Sequence, residues 1–177
     1  MTIRHSDIQA MVDGVNSLAL PAGLPGSFWR EFDAWLFATS GAEIRIFLRA
    51  VDDRLVLTHA ERSDTKEVLV FSTSLLADME KFLTYFLCSS LREDKRLPRL
   101  LVVSIPVTID KVAPGFTITK ADGPGYELHH RGESVIRGGD DVELVNFSHY
   151  VSLSTEEIRQ SALDPEGKPH FMVAAWS

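Results

Sequence analysis

The segment Val68-Leu69-Val70-Phe71-Ser72-Thr73-Ser74 runs directly into Leu75-Leu76-Ala77-Asp78-Met79-Glu80-Lys81-Phe82-Leu83, and this junction decides the fold. Its first four residues are a short apolar run, which reads as a strand. From Leu75 onward the period changes. Leu75, Leu76, Met79, Phe82, Leu83, Phe86, Leu87 and Leu91 recur at i, i+3, i+4 and i+7, the spacing of one helix face. A strand therefore feeds a long core helix. Burying that stripe supplies on the order of 10–20 kcal/mol before conformational entropy, at roughly 1.5–3 kcal/mol per side chain. The stripe carries no His and no carboxylate beside an acid–base partner, so it organises the fold and leaves the work to a surface.

The chain has 177 residues, 45% hydrophobic and 24% charged, which predicts one globular domain over residues 1–177. Its longest nearly apolar stretches, Leu100 to Val107 and Phe82 to Cys88, are far shorter than the ~18 residues a membrane span needs. The start, Met1-Thr2-Ile3-Arg4-His5-Ser6-Asp7, has no basic segment followed by a long apolar one, so a cytoplasmic protein is expected. Cys88 is the single cysteine, which excludes an intrachain disulfide and a cysteine metal cluster and suits a reducing compartment. It is expected as a small, half-buried helix residue.

Charge is unevenly placed. Residues 1–120 hold fifteen acidic and fourteen basic side chains, whereas residues 121–177 hold ten acidic and four basic, so −6 of the net charge of −7 lies in the last third. Such a surface repels nucleic-acid phosphates and attracts basic proteins. The basic cluster Arg92, Lys95, Arg96 and Arg99 follows the long helix, where cations suit the C-terminal dipole.

Along the chain, Ser6 and Gln9 form a capping-box pattern that predicts a first helix over about Asp7 to Ser17. Phe28 to Phe37 fits helix or strand, and strand is favoured. Glu43 to Ala50 and Arg54 to His59 predict a hairpin turning at Asp52-Asp53. After the long helix come a buried strand over Pro98 to Ile105 and a loop between Pro106 and Pro114. Short strands follow at Phe116 to Lys120, Tyr126 to Arg131, Ser134 to Arg137 and Val142 to Phe147, with a turn at Gly138-Gly139-Asp140-Asp141. Ser154-Thr155-Glu156-Glu157 is a capping box opening a short helix, and His170 to Trp176 predicts a closing strand. The class is α+β: one antiparallel twisted sheet with about three helices packed on one side.

Motifs for chemistry are lacking. There is no G-x-S-x-G elbow, no Walker sequence and no G-x-G-x-x-G. His129 and His130 are adjacent on an expected strand and must face opposite ways, and no His pair has metal-ligand spacing. Asp52-Asp53 and Asp140-Asp141 stand where turns favour Asp rather than as catalytic pairs.

Glu61-Arg62, the strand Val68 to Phe71, the helix from Leu75 to Leu91-Arg92, and Val151-Ser152-Leu153-Ser154 through Ser161-Ala162-Leu163-Asp164-Pro165-Glu166-Gly167-Lys168-Pro169 carry a resemblance. They are similar to the immunity-protein family typified by the immunity factor of the tuberculosis necrotizing toxin, over about residues 40–171. The resemblance implies a cytosolic antitoxin that binds a secreted NAD-cleaving toxin domain one to one and occludes its dinucleotide pocket, holding no cofactor itself. Loop geometry and charge, separately, select the contacts. Val107 to Ala113, pinned by Pro106 and Pro114, is the candidate plug, with Asp110 and Lys111 at its tip and Asp140 and Asp141 as a second acidic contact. Two other readings stay open. One is a secretion chaperone using Met11 and Val15 of the first helix. The other is a ligand pocket around Tyr126, His129 and His149.

Overall fold

The computed structural model describes residues 3–61, 66–131 and 133–174. Eight strands form one antiparallel sheet in the order β1-β2-β3-β4-β5-β9-β8-β7. The first meander comprises β1 (Gly26–Trp29), β2 (Ala34–Ala38), β3 (Ile44–Val51), β4 (Arg54–Glu61) and β5 (Val68–Thr73). The second comprises β7 (Phe116–Lys120), β8 (Tyr126–His130) and β9 (Glu133–Gly138). The two are joined where Phe71 of β5 faces Gly138 of β9. A separate two-stranded ribbon pairs β6 (Leu100–Leu101) with β10 (Met172–Val173).

Alternation along the strands sends Trp35, Leu48, Leu57 and Phe71, aligned across four strands, to one face. There they meet Ile8, Met11, Val12 and Val15 of α1 (His5–Ala19) and Met79, Phe82, Leu83 and Leu87 of α2 (Leu76–Asp94) in one core. Phe71 anchors it, with ring centroids 4.2 Å from Phe82 and 4.9 Å from Phe147. The opposite face carries a small cluster of Ala34, Leu36, Phe47 and Ala60. Arg49 lies 4.8 Å over the Phe47 ring and grips Glu67 through two bonds of 2.6 and 2.9 Å. Burial pushes the Glu67 carboxyl up, but bonds from Arg49 and Thr58 and the Arg49 charge outweigh it and hold it below the usual range.

The α+β class holds, and so do the hairpin, the long helix and the capping box, in which Ser154 Oγ accepts from Glu157 N and Glu157 Oε2 accepts from Ser154 N at 2.8 Å. Several elements differ from expectation. Val142 to Phe147 is not a strand but lies in α3 (Asp141–Tyr150), which with α4 (Thr155–Leu163) makes four α-helices among the described residues. Asp140 is the cause: its Oδ1 accepts from Glu143 N at 2.9 Å, so the expected turn is an N-cap, and Leu144, Phe147 and Ser148 bury one helical face. The paired glycines before it serve close packing. A Cβ on Gly138 would lie 2.8 Å from Leu144 Cγ, and one on Gly139 would lie 2.0 Å from the Leu69 carbonyl oxygen.

The helix α1 has Arg4 as N-cap, so the Ser6–Gln9 box does not form; Gln9 instead bonds Asp13 and accepts from Trp35 Nε1 at 2.9 Å. Phe28 to Phe37 divides into β1 and β2 around a tight turn. Only Leu100–Leu101 of the expected Pro98 to Ile105 strand pairs, because its partner is the two-residue β10. That leaves Met172–Val173 of the expected closing strand, whose end from Ala175 lies outside the described residues. Cys88 is fully rather than half buried, and burial pushes its thiol up to about 12.

Arg92, near the end of α2, is 1% exposed and has no carboxylate on its guanidinium. It donates instead to four main-chain carbonyls: Pro98 (2.9 Å), Ala162 (2.9 Å), Asp164 (2.5 Å) and Pro165 (3.0 Å). One cation thus ties the ends of α2 and α4 to the turn after each, where carbonyls lack helical partners. Arg92→Met leaves four inward-facing acceptors without donors. It is expected to destabilise the fold by about 3 kcal/mol or more, read as a lower urea midpoint at unchanged m. A loss under about 1 kcal/mol refutes the clamp.

Candidate functional site

The α3 start, the second half of α2 and the irregular chain from Leu97 to Val107 enclose a cleft of about 600 Å³. Phe86, Val107 and Val142 supply apolar wall, while Asp140, Glu143 and Asn146 supply the polar groups of α3. Around the mouth stand exposed apolar side chains. Ile105 is 65% exposed and Val142 37%, while Ile109, 40% exposed, lies on the neighbouring loop turn rather than on the cleft wall.

The expected plug loop contains a single 3-10 turn, Ile109–Lys111, and is firmly tied down. Lys111 Nζ donates to the Ser104 carbonyl (2.7 Å), Ser104 Oγ (3.1 Å) and the Pro106 carbonyl (2.8 Å). Lys111 therefore staples the loop rather than projecting from it. The Lys111 carbonyl meets His149 Nε2 at 2.7 Å, and Ser148 Oγ accepts from Ala113 N at 3.0 Å, so the loop is docked on α3. Asp110 does project; bonds from the Thr108 hydroxyl and its own backbone N–H, with Lys111 nearby, hold its carboxyl low. Asp140 caps α3 and Asp141 opens its first turn, where carboxylates suit the helix dipole. Of the four predicted residues Asp140 lines the cleft, together with Ile105 and Val107 before the turn, whereas Asp110, Lys111 and Asp141 are not among its lining residues.

Glu143 and Asn146 escape the sequence reading because their segment looks like a strand. The signal that could have found them is Asp140 three residues before Glu143, an N-cap spacing ahead of apolar residues at helical intervals. Burial and, after it, the Asp140 charge push the Glu143 carboxyl up to about 8. Asn146 Oδ1 is buried without a hydrogen-bond partner.

The other readings lose their residues. Met11 and Val15 are 5% and 3% exposed, within the core, so they offer an unfolded segment no surface. Tyr126, His129 and His149 do not share a pocket: His129 bonds Thr119 on the second meander, and His149 holds the loop. Among the described residues no group of three or more His, Cys, Asp or Glu is placed to hold a metal ion, and no helix is long and apolar enough to cross a membrane.

The family model described as immunity protein 61 matches residues 19–170. This chain belongs to the immunity protein 61 family. It is 28% identical over 134 residues, 74% of either chain, to the Mycobacterium tuberculosis protein named immunity factor for TNT. A Mycobacterium bovis homolog of that factor matches with the same identity and coverage. The solved structure of Rv3902c from M. tuberculosis superposes with a TM-score of 0.79 at 23% identity, covering 90% of this chain and 92% of the other, and thereby supports the fold. In this family member an acidic helix start and a stapled loop border one apolar-walled cleft.

Two outcomes follow from this geometry. Lys111→Met removes three anchors of an exposed loop, so amide exchange over residues 104–112 is expected to speed up while the melting temperature moves by less than about 2 °C. For Glu143, a carboxyl raised from 4.5 to about 8 binds its proton in the folded state over a window in which the unfolded chain has released it. Its contribution to stability is full below about pH 4.5 and is lost as pH rises through 8. Glu143→Gln is therefore expected to flatten the fall in stability between pH 5 and 8, with a gain on the order of 2 kcal/mol at pH 8, measured by urea titration.

Proposed function

We propose that this protein is an antitoxin that works by binding rather than by catalysis. In the cytoplasm it engages, one to one, the toxin domain of a secreted NAD-cleaving enzyme and covers that domain's active site. The family match spanning residues 19–170 carries the reading, and the similarity to the immunity factor for TNT selects the toxin class.

The cleft mouth is the contact face in this reading. Ile105, Ile109 and Val142 are apolar anchors, Asp110 and Asp141 give acidic complementarity, and Lys111 and Asp140 hold loop and helix in their binding shape. A loop already fixed by Lys111, Ser148 and His149 loses little conformational entropy on docking, which favours affinity. Acidic groups around apolar anchors also speed encounter with a basic partner surface.

Coexpression with an NAD-cleaving toxin domain of the TNT class is expected to restore growth and cellular NAD. Ile109→Ser with Asp110→Arg, leaving the staple Lys111 in place, should weaken toxin binding by tenfold or more, about 1.4 kcal/mol, at an unchanged melting temperature. Full protection by that variant removes the loop from the interface, and absence of protection by the natural protein rejects the antitoxin reading.

A further inference from the structure

The α3 side of the cleft is an unfilled receptor for a hydrogen-bond donor. Asp140 and Glu143 present carboxyl groups, and Asn146 Oδ1 is a buried acceptor with nothing to accept from. From α2 and the chain after it come Tyr85, Arg92, Glu93 and Arg99. Arg92 is already committed to four carbonyls, exposed Glu93 and Arg99 offset one another in charge, and burial pushes the Tyr85 phenol up, keeping it neutral. The carbonyls leave the Arg92 charge in place, so Glu93, Asp140 and Glu143 stand against Arg92 and Arg99, and the lining is negative by one when Glu143 is ionised. Phe86, Val107 and Val142 line the way in, an apolar passage suited to an alkyl stem rather than to a hydrated ion.

Resting on the antitoxin reading, we infer that the cleft is a socket for one basic side chain of the toxin domain, whose ammonium or guanidinium head pairs with Glu143 and donates to Asn146 Oδ1. The aliphatic stem of that Lys or Arg packs between Val107 and Val142, and Asp140 reinforces the charge at the mouth. Such an enclosed, desolvated charge contact within an apolar rim has the anatomy of an interface hot spot. It also answers why the cap and first turn of α3 set two carboxyl groups, Asp140 and Glu143, into an apolar-walled cleft. The carboxyl of Glu143, pushed up to about 8 in the free protein, is mostly protonated at pH 7. An incoming cation stabilises its ionised form, so docking expels the proton.

The test is calorimetry of the purified protein with a toxin domain of the TNT class at pH 7, in two buffers of different ionisation enthalpy, and across pH 6.5 to 8. The expected result is release of between about half and one proton per complex and a Kd that tightens severalfold per pH unit. Glu143→Gln, which keeps the shape of the side chain, should bind at least tenfold more weakly and show neither proton release nor pH slope. Val142→Lys, at an exposed position, places a competing cation at the mouth and should weaken binding as strongly. Tight binding by the natural protein without proton release, or undiminished binding by Glu143→Gln, overturns the socket and leaves the antitoxin reading standing. A toxin domain that does not bind at all removes both.

Discussion

A single guanidinium closes this fold. Arg92 lies inside the protein with no acidic partner, and its charge is met by the carbonyl ends of two helices and the turns that follow them. Helix ends leave carbonyls without internal donors, and a planar five-donor cation can serve several at once where a lysine ammonium cannot reach them all. The bond to Pro98 fixes where the chain turns after α2, which in turn sets the path of the Leu97 to Val107 segment. The bonds to Ala162, Asp164 and Pro165 place α4 against α2. Without that closure the cleft would lack one of its walls.

The cleft is a consequence of how the two meanders are joined. The four helices among the described residues lie over one face of the sheet, and α3 descends onto the seam between β5 and β9 because Gly138 has no side chain to hold Leu144 away, while Gly139 lets the chain pass against the Leu69 carbonyl of β5. The start of α3 therefore faces α2 across a gap that no apolar side chain fills. Into that gap the fold turns two carboxyl groups and an unpaired amide oxygen, an arrangement that costs stability and that stability alone does not require. Beside it, the loop after Pro106 is held rigid by an internal lysine and by two side chains of α3. Exposed Ile105 and Val142 stand at the same cleft as the raised carboxyl of Glu143 and the unpaired oxygen of Asn146.

Where local signals agreed, the chain was legible. The change of period at Leu75 marked the strand-to-helix junction, the alternation of Ile44, Ile46 and Leu48 marked the hairpin, and Ser154 with Glu157 marked the last helix to the residue. Local signals that pointed two ways misled. Val142 to Phe147 is a short apolar-rich run after a Gly-Gly-Asp-Asp turn signal and so reads as a strand, but the Asp140 cap and burial of Leu144, Phe147 and Ser148 make the segment helical. Misreading that helix hid Glu143 and Asn146, whereas Asp140, selected from its turn and charge, does line the cleft with them. Lys111 was found for the wrong reason, since its charge is spent within its own loop.

By itself the sequence determined the α+β class, the core helix, most of the first meander and the acidic last third, because these are written in periodicity, turn chemistry and charge, which act over a few residues; the likeness to immunity proteins came separately, from segments similar to that family. Only the tertiary structure decided that β9 seats itself beside β5, that Arg92 locks α2 to α4, and that Ile105, Asp140 and Glu143 border one cleft. Those facts depend on contacts between residues tens of positions apart. Such contacts are settled by the mutual fit of whole faces and by which buried polar groups can find partners, and neither is encoded in any one window of the chain.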